Sequence, residues 1–148
     1  MLADFQQALA DLTGSPELCL CVRRDPSILR EKYELTEREW RRLVEIVRHR
    51  GMECACIVYR ANRLAPLALN IPRTCKALGQ ELRDVVSEFW AEHPETNVHF
   101  FVETDRFCRF LQAKLAEGRV FATDISPILA LESAAVAAAL QESYTETD

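Results

Sequence analysis

Residues 56–79, CIVYRANRLAPLALNIPRTCKALG, hold the side chains best suited to chemistry in this chain. Tyr59, Arg60, Asn62 and Arg63 stand within an apolar run that reads as helical. Two arginines, a tyrosine and an asparagine on adjacent turns can bind carboxylates, phosphates or peptide backbone through forked hydrogen bonds. Tyr and Arg are also the residue types enriched among those that dominate interface energetics. The competing reading places Tyr59 at the rim of the core and pairs the arginines with Glu53 or with the acidic C-terminal half. Arg41 and Arg48, on the basic stretch just before, extend the candidate partner-binding set.

Other chemistries find less support. His49, His93 and His99 lack H-x3-H or H-E-x2-H spacing, so no metal box is written in the sequence. Cys19/Cys21 and Cys54/Cys56 form two C-x-C pairs. On a helix, residues two apart point about 200° apart, so neither pair converges on one ion. The six cysteines are expected to be reduced thiols, several packed as small apolar groups. Gly14, Gly51, Gly79 and Gly118 punctuate helices rather than form a phosphate-cradling loop. No carboxylate pair or nucleophile triad can be singled out, so we expect no catalytic residues, cofactor or metal.

The elements that must position the tetrad are helical. Residues 3–12 read as a short helix carrying Phe5, Leu9 and Leu12. Ser15-Pro16 and Asp25-Pro26 each start another, since a small polar cap followed by proline suits a first turn. Thr36 and Glu39 make a capping box, after which Trp40, Leu43, Val44 and Val47 form a buried stripe as far as a stop at Gly51. Glu37–Arg41 and Arg41–Glu45 pair on its outer face.

The next helix covers about 53–69, with Cys54, Ile57, Val58, Ala61 and Ala65 as its buried stripe and Tyr59, Arg60, Asn62, Arg63 and Pro66 off it. Pro66 should kink that helix. Pro72 opens a short helix closed by Gly79, and 80–92 is amphipathic with Leu82, Val85, Val86, Phe89 and Trp90 on one face. Residues 97–103 are expected to be irregular or a single turn. Thr104 or Asp105 then caps a helix that ends at Gly118. A last, alanine-rich helix starts at Ser126-Pro127 and leaves 140–148 as a frayed tail.

A length of 148 residues suits one domain with a real core. The N-terminus lacks a secretory leader, and no run approaches the roughly 20 apolar residues of a membrane helix. A cytoplasmic location without membrane contact is therefore expected. Charge is polarised: residues 36–80 hold nine basic against four acidic residues, whereas 81–148 hold five against thirteen. Such a molecule can offer a basic face to an acidic partner. The acidic C-terminal half argues against nonspecific nucleic-acid binding, which depends on neutralising phosphates.

The order of several short motifs resembles a known family. Val58-Tyr59-Arg60-Ala61-Asn62, Ile71-Pro72, Ala77-Leu78-Gly79 and Glu88-Phe89-Trp90 through His93-Pro94 follow one another. Phe107-x-x-Phe110-Leu111 and Leu129-Ala130-Leu131-Glu132 come next. This succession, over residues 1–12 and 52–140, is similar to the N-terminal helical domain of HvfC/BufC-type proteins, formerly described as DNA-binding. Ala61 stands where the family has an asparagine, and Gly14–Gly51 has no counterpart. The resemblance implies a non-catalytic partner protein in ribosomal peptide maturation. Such a protein binds a precursor peptide, an iron-dependent oxidative enzyme, or both. It also implies interface or structural roles for Tyr59, Arg60 and Asn62.

The sequence thus predicts an all-α protein, a single compact domain over 1–148 of about seven to eight short helices. Its expected function is that of a helical adaptor. The alternative is a DNA-binding regulator using the basic helix 37–50.

Overall fold

A computed structural model describes residues 2–95, 97, 99–120 and 122–145. The helices are α1 (Leu2–Gly14), α2 (Pro16–Arg24), α3 (Ile28–Lys32), α4 (Glu37–Arg48), α5 (Arg50–Asn70), α6 (Pro72–Leu78), α7 (Leu82–Glu92), α8 (Phe100–Ala116) and α9 (Ile125–Thr145). A single 3-10 turn, Gly79–Glu81, joins α6 to α7, and the described residues contain no strand. The fold is all-α. Where the sequence reads as one domain, the chain divides into two compact units, Met1–Ala61 and Asn62–Asp148, and α5 contributes its first part to one and its last part to the other.

Unit 1 is built on well-capped helices. Ser15 accepts a hydrogen bond from Leu18 N–H at 3.1 Å, and Pro16 occupies the first turn of α2, where its missing N–H is not needed. The capping box of α4 forms as predicted: Glu39 N–H donates to Thr36 Oγ1 (3.3 Å), and Thr36 N–H donates to Glu39 Oε2 (2.8 Å). Capping of this kind is worth ~1 kcal/mol. Leu43, Val44 and Val47 then bury against Ala8, Leu12, Cys19, Val22, Leu29 and Met52. Trp40 is only half-buried, because its Nε1 donates to Pro26 O (3.0 Å) at the rim, where the Arg30 guanidinium covers the ring at 4.1 Å. Arg23 reaches the end of α4 and donates from Nη2 to Val47 O at 3.0 Å.

α4 stops before the expected Gly51. His49 is its C-cap, and Gly51 already lies in the first turn of α5, its N–H bonded to His49 Nδ1 at 3.0 Å. Pro66 sits inside α5, which continues to Asn70.

Unit 2 packs α6, α7, α8 and α9 with the last part of α5 around Leu67, Ile71, Phe89, Phe107, Leu111, Ile125 and Leu129. Phe89 meets Phe107 edge to face, centroids 5.3 Å apart at 81°, a preferred aromatic geometry. Glu132 of α9 caps α6 from a distance. Its carboxylate accepts from Arg73 N–H (3.0 Å) and Thr74 N–H (2.8 Å), the free donors just behind Pro72.

Two further boundaries differ from those read in the sequence. α8 begins at Phe100, so 100–103 is helical; of the uncertain 97–103 stretch, Val98 lies outside the described residues. Thr104 turns inward rather than capping, donating to Phe100 O (2.8 Å) within its own helix and accepting from Asn70 Nδ2 (3.0 Å). At the other end α9 runs to Thr145, so residues 140–145 are helix rather than frayed tail; 146–148 lie outside the described residues. By length and mean hydropathy alone, α9 is long and apolar enough to cross a membrane. Here Ile125, Leu129, Glu132 and Val136 are its buried face.

Candidate partner-binding site

α5 carries the predicted tetrad, and its rotational setting decides what each residue does. In unit 1 the inward side is Met52, with Cys56, Tyr59 and Arg60 half-buried. Ile57 is 62% and Val58 57% exposed, and Cys54 and Ala61 are exposed with them. The predicted buried stripe Cys54–Ile57–Val58–Ala61 therefore faces outward. In unit 2, Arg63, Pro66 and Leu67 of the same helix are buried, Ala65 is half-buried, and Asn62, Ala68 and Leu69 are exposed.

Polar partners explain the inversion. Arg60 Nη2 donates to Glu17 Oε1 of α2 at 3.1 Å. Arg63 donates from Nε (2.9 Å) and Nη2 (2.7 Å) to Glu103 Oε1, and from Nη2 to His93 O (2.9 Å). Its guanidinium also lies 5.7 Å from the ring centroids of Phe89 and Trp90, within cation–π range. Arg63 is 3% exposed and Glu103 1%. Arg63, predicted as a solvent-facing contact, is thus a buried structural cation. The competing reading, in which the arginines pair with Glu53 or the acidic C-terminal half, describes Arg63 but not Arg60, whose partner Glu17 lies near the N-terminus.

The remaining predicted site residues are Tyr59 and Asn62 on α5 and Arg41 and Arg48 on α4. Tyr59 is half-buried and Asn62 exposed. Arg41 is held by Glu37 at 2.9 Å, which also engages Arg30, while Arg48 is exposed near the end of α4.

Unit 1 carries several concave features, among them one of about 320 Å³ lined by residues 30–35 and Glu37. An open groove of about 410 Å³ between α1 and α4 is lined by Phe5, Arg42, Glu45, Ile46 and His49. A smaller cleft of about 180 Å³ lies between α2 and α5, lined by Cys19, Leu20, Arg23, Glu53, Cys56, Ile57 and Arg60. Burial, and next the neighbouring Cys56 thiol, push the Cys19 thiol up to about 11. Among the described residues no three His, Cys, Asp or Glu side chains gather as a metal site.

Sequence reasoning missed Ile57 and Val58 as surface residues, along with the acidic partners Glu17 and Glu103. One signal was present: α5 has apolar residues on more than one side, so a single stripe cannot fix its setting. No protein-family model matches the chain, and neither a curated protein nor a solved structure matches it.

Proposed function

We propose that this chain is a non-catalytic helical partner protein that binds an amphipathic segment of a peptide or of a modifying enzyme on the outward face of α5 in unit 1. The observation that carries this reading is the exposure of Ile57 and Val58 on a helix whose Arg60 and Arg63 turn inward. Leaving two large aliphatic side chains in water forgoes ~1.5–3 kcal/mol apiece. Cys54, Ile57, Val58 and Ala61 follow i, i+3, i+4, i+7 spacing, the ridge an amphipathic helix packs against. Arg50, one turn before Cys54, adds an exposed cation at the end of that ridge. A segment with apolar residues at helical spacing and a carboxylate at one end fits both features.

The resemblance to the HvfC/BufC-type helical domain supplies the setting, ribosomal peptide maturation, with a precursor peptide or an iron-dependent oxidative enzyme as partner. A nucleic-acid role for α4 is less favoured. Glu37, Glu39 and Glu45 share that helix, and Arg41 is already engaged by Glu37.

The test is capture of partners by the tagged chain from its native host across a salt series, with mass spectrometry of what is retained. A precursor peptide or oxidative enzyme still bound at ~0.3 M salt is the expected result, because apolar burial survives where phosphate contacts weaken. Retention of nucleic acid alone at low salt would overturn the reading. So would light scattering that shows the chain covering this face with a second copy of itself.

A further inference from the structure

The cleft between α2 and α5 brings together cysteines that the sequence keeps in separate C-x-C pairs. Cys19 is buried and Cys56 half-buried, both line the cleft, and Cys56 packs against the core cluster that contains Cys19. Cys21 and Cys54, the other member of each pair, point to solvent. Arg60 lies one helical turn after Cys56 and lines the same cleft. Its Nη2 is committed to Glu17, but its Nε is out of contact with water and has no acceptor. A buried N–H donor without an acceptor is costly.

We propose that Cys19 and Cys56 form a peroxide-sensitive thiol pair that closes to a disulfide within unit 1. The Cys56 thiolate attacks one oxygen of a hydroperoxide. The O–O bond breaks, the leaving oxygen departs as water (or as an alcohol) after taking a proton, and Cys56 becomes a sulfenic acid. Cys19 sulfur then attacks Cys56 sulfur. The S–S bond forms, the S–O bond breaks, and the hydroxyl leaves as water with the proton of Cys19. In total two thiols lose two protons and two electrons, and the peroxide is reduced. Cys19 suits the second step by position, since it lines the same cleft as Cys56.

The test treats the full chain with a small excess of hydrogen peroxide, quenches it, and maps disulfides by proteolysis without reductant. The expected result is a monomer lighter by two hydrogens, with a link between the peptides bearing Cys19 and Cys56. The link persists in Cys21→Ser/Cys54→Ser, a variant that alters only exposed thiols. In Cys19→Ser, a sulfenic-acid trap should instead mark Cys56. Linkage through Cys21 or Cys54, disulfide-joined dimers, or a treated wild-type chain with all thiols intact would overturn the proposal. Because the wild-type chain and the double variant decide the matter, it stays testable even where Cys19→Ser folds poorly.

Discussion

Arg63 Nη2 lies 2.7 Å from Glu103 Oε1, joining α5 to α8 inside unit 2 with both side chains closed to water. Glu103 Oε2 has no hydrogen-bond partner, so the pair is incompletely compensated. Arg63→Ala or Glu103→Ala should each destabilise the fold by ~3–5 kcal/mol, because one buried charge is left alone. Replacing both, Arg63→Met with Glu103→Leu, should cost less than either single change. Urea unfolding of the four proteins measures this directly.

Glu132 does comparable work for α6. Glu132→Ala leaves the N–H groups of Arg73 and Thr74 without acceptors, so about 1–2 kcal/mol of stability should be lost. Hydrogen exchange at these two amides should accelerate, while exchange in α2 and α4 stays unchanged.

Tyr33 gives the account a pH dependence. Its hydroxyl donates to Asp11 Oδ2 at 2.6 Å, and burial, then that hydrogen bond, push the phenol up to about 12 from 10.0. A raised pKa means the folded state holds the proton more tightly than the unfolded one. The stability from this contact is therefore complete below pH 10.0 and disappears as pH rises through about 12. Tyr33→Phe should lose ~1 kcal/mol at neutral pH and remove that alkaline step from the stability profile. Tyrosinate absorbance should show Tyr33 titrating above the ordinary phenol range.

Thiol reactivity should be graded by environment. Cys21 and Cys54 are exposed, whereas Cys19, Cys75 and Cys108 are each pushed up to about 11, chiefly by burial. A disulfide reagent at mildly alkaline pH should label Cys21 and Cys54 first and reach Cys19, Cys75 and Cys108 only on unfolding.

Local signals were legible in the sequence, and tertiary ones were not. The capping box at Thr36–Glu39 and the stripe through Leu43, Val44 and Val47 depend on neighbours three to seven residues away, and both are present in the fold. The all-α class followed from the same periodicity. The setting of α5 depends on partners far along the chain: Glu17 for Arg60 and Glu103 for Arg63. With an apolar set at Cys54, Ile57, Val58 and Ala61 and another through Met52, Cys56 and Leu67, periodicity alone chose the outward one as core. Glu103 gave no warning either, since it follows the apolar run Phe100–Phe101–Val102 and Arg106 at i+3 offers it an ordinary local partner.

The decisive comparison pairs two variants in capture of the proposed partner from the native host. Ile57→Glu/Val58→Glu should keep the helical circular-dichroism signal and unfolding midpoint of the wild type, while partner retained falls by about ten-fold or more, the effect of ~1.4 kcal/mol. Arg63→Ala should lose stability instead. A double variant that keeps its partner at wild-type level, or that unfolds, would contradict the outward face of α5 as the docking surface.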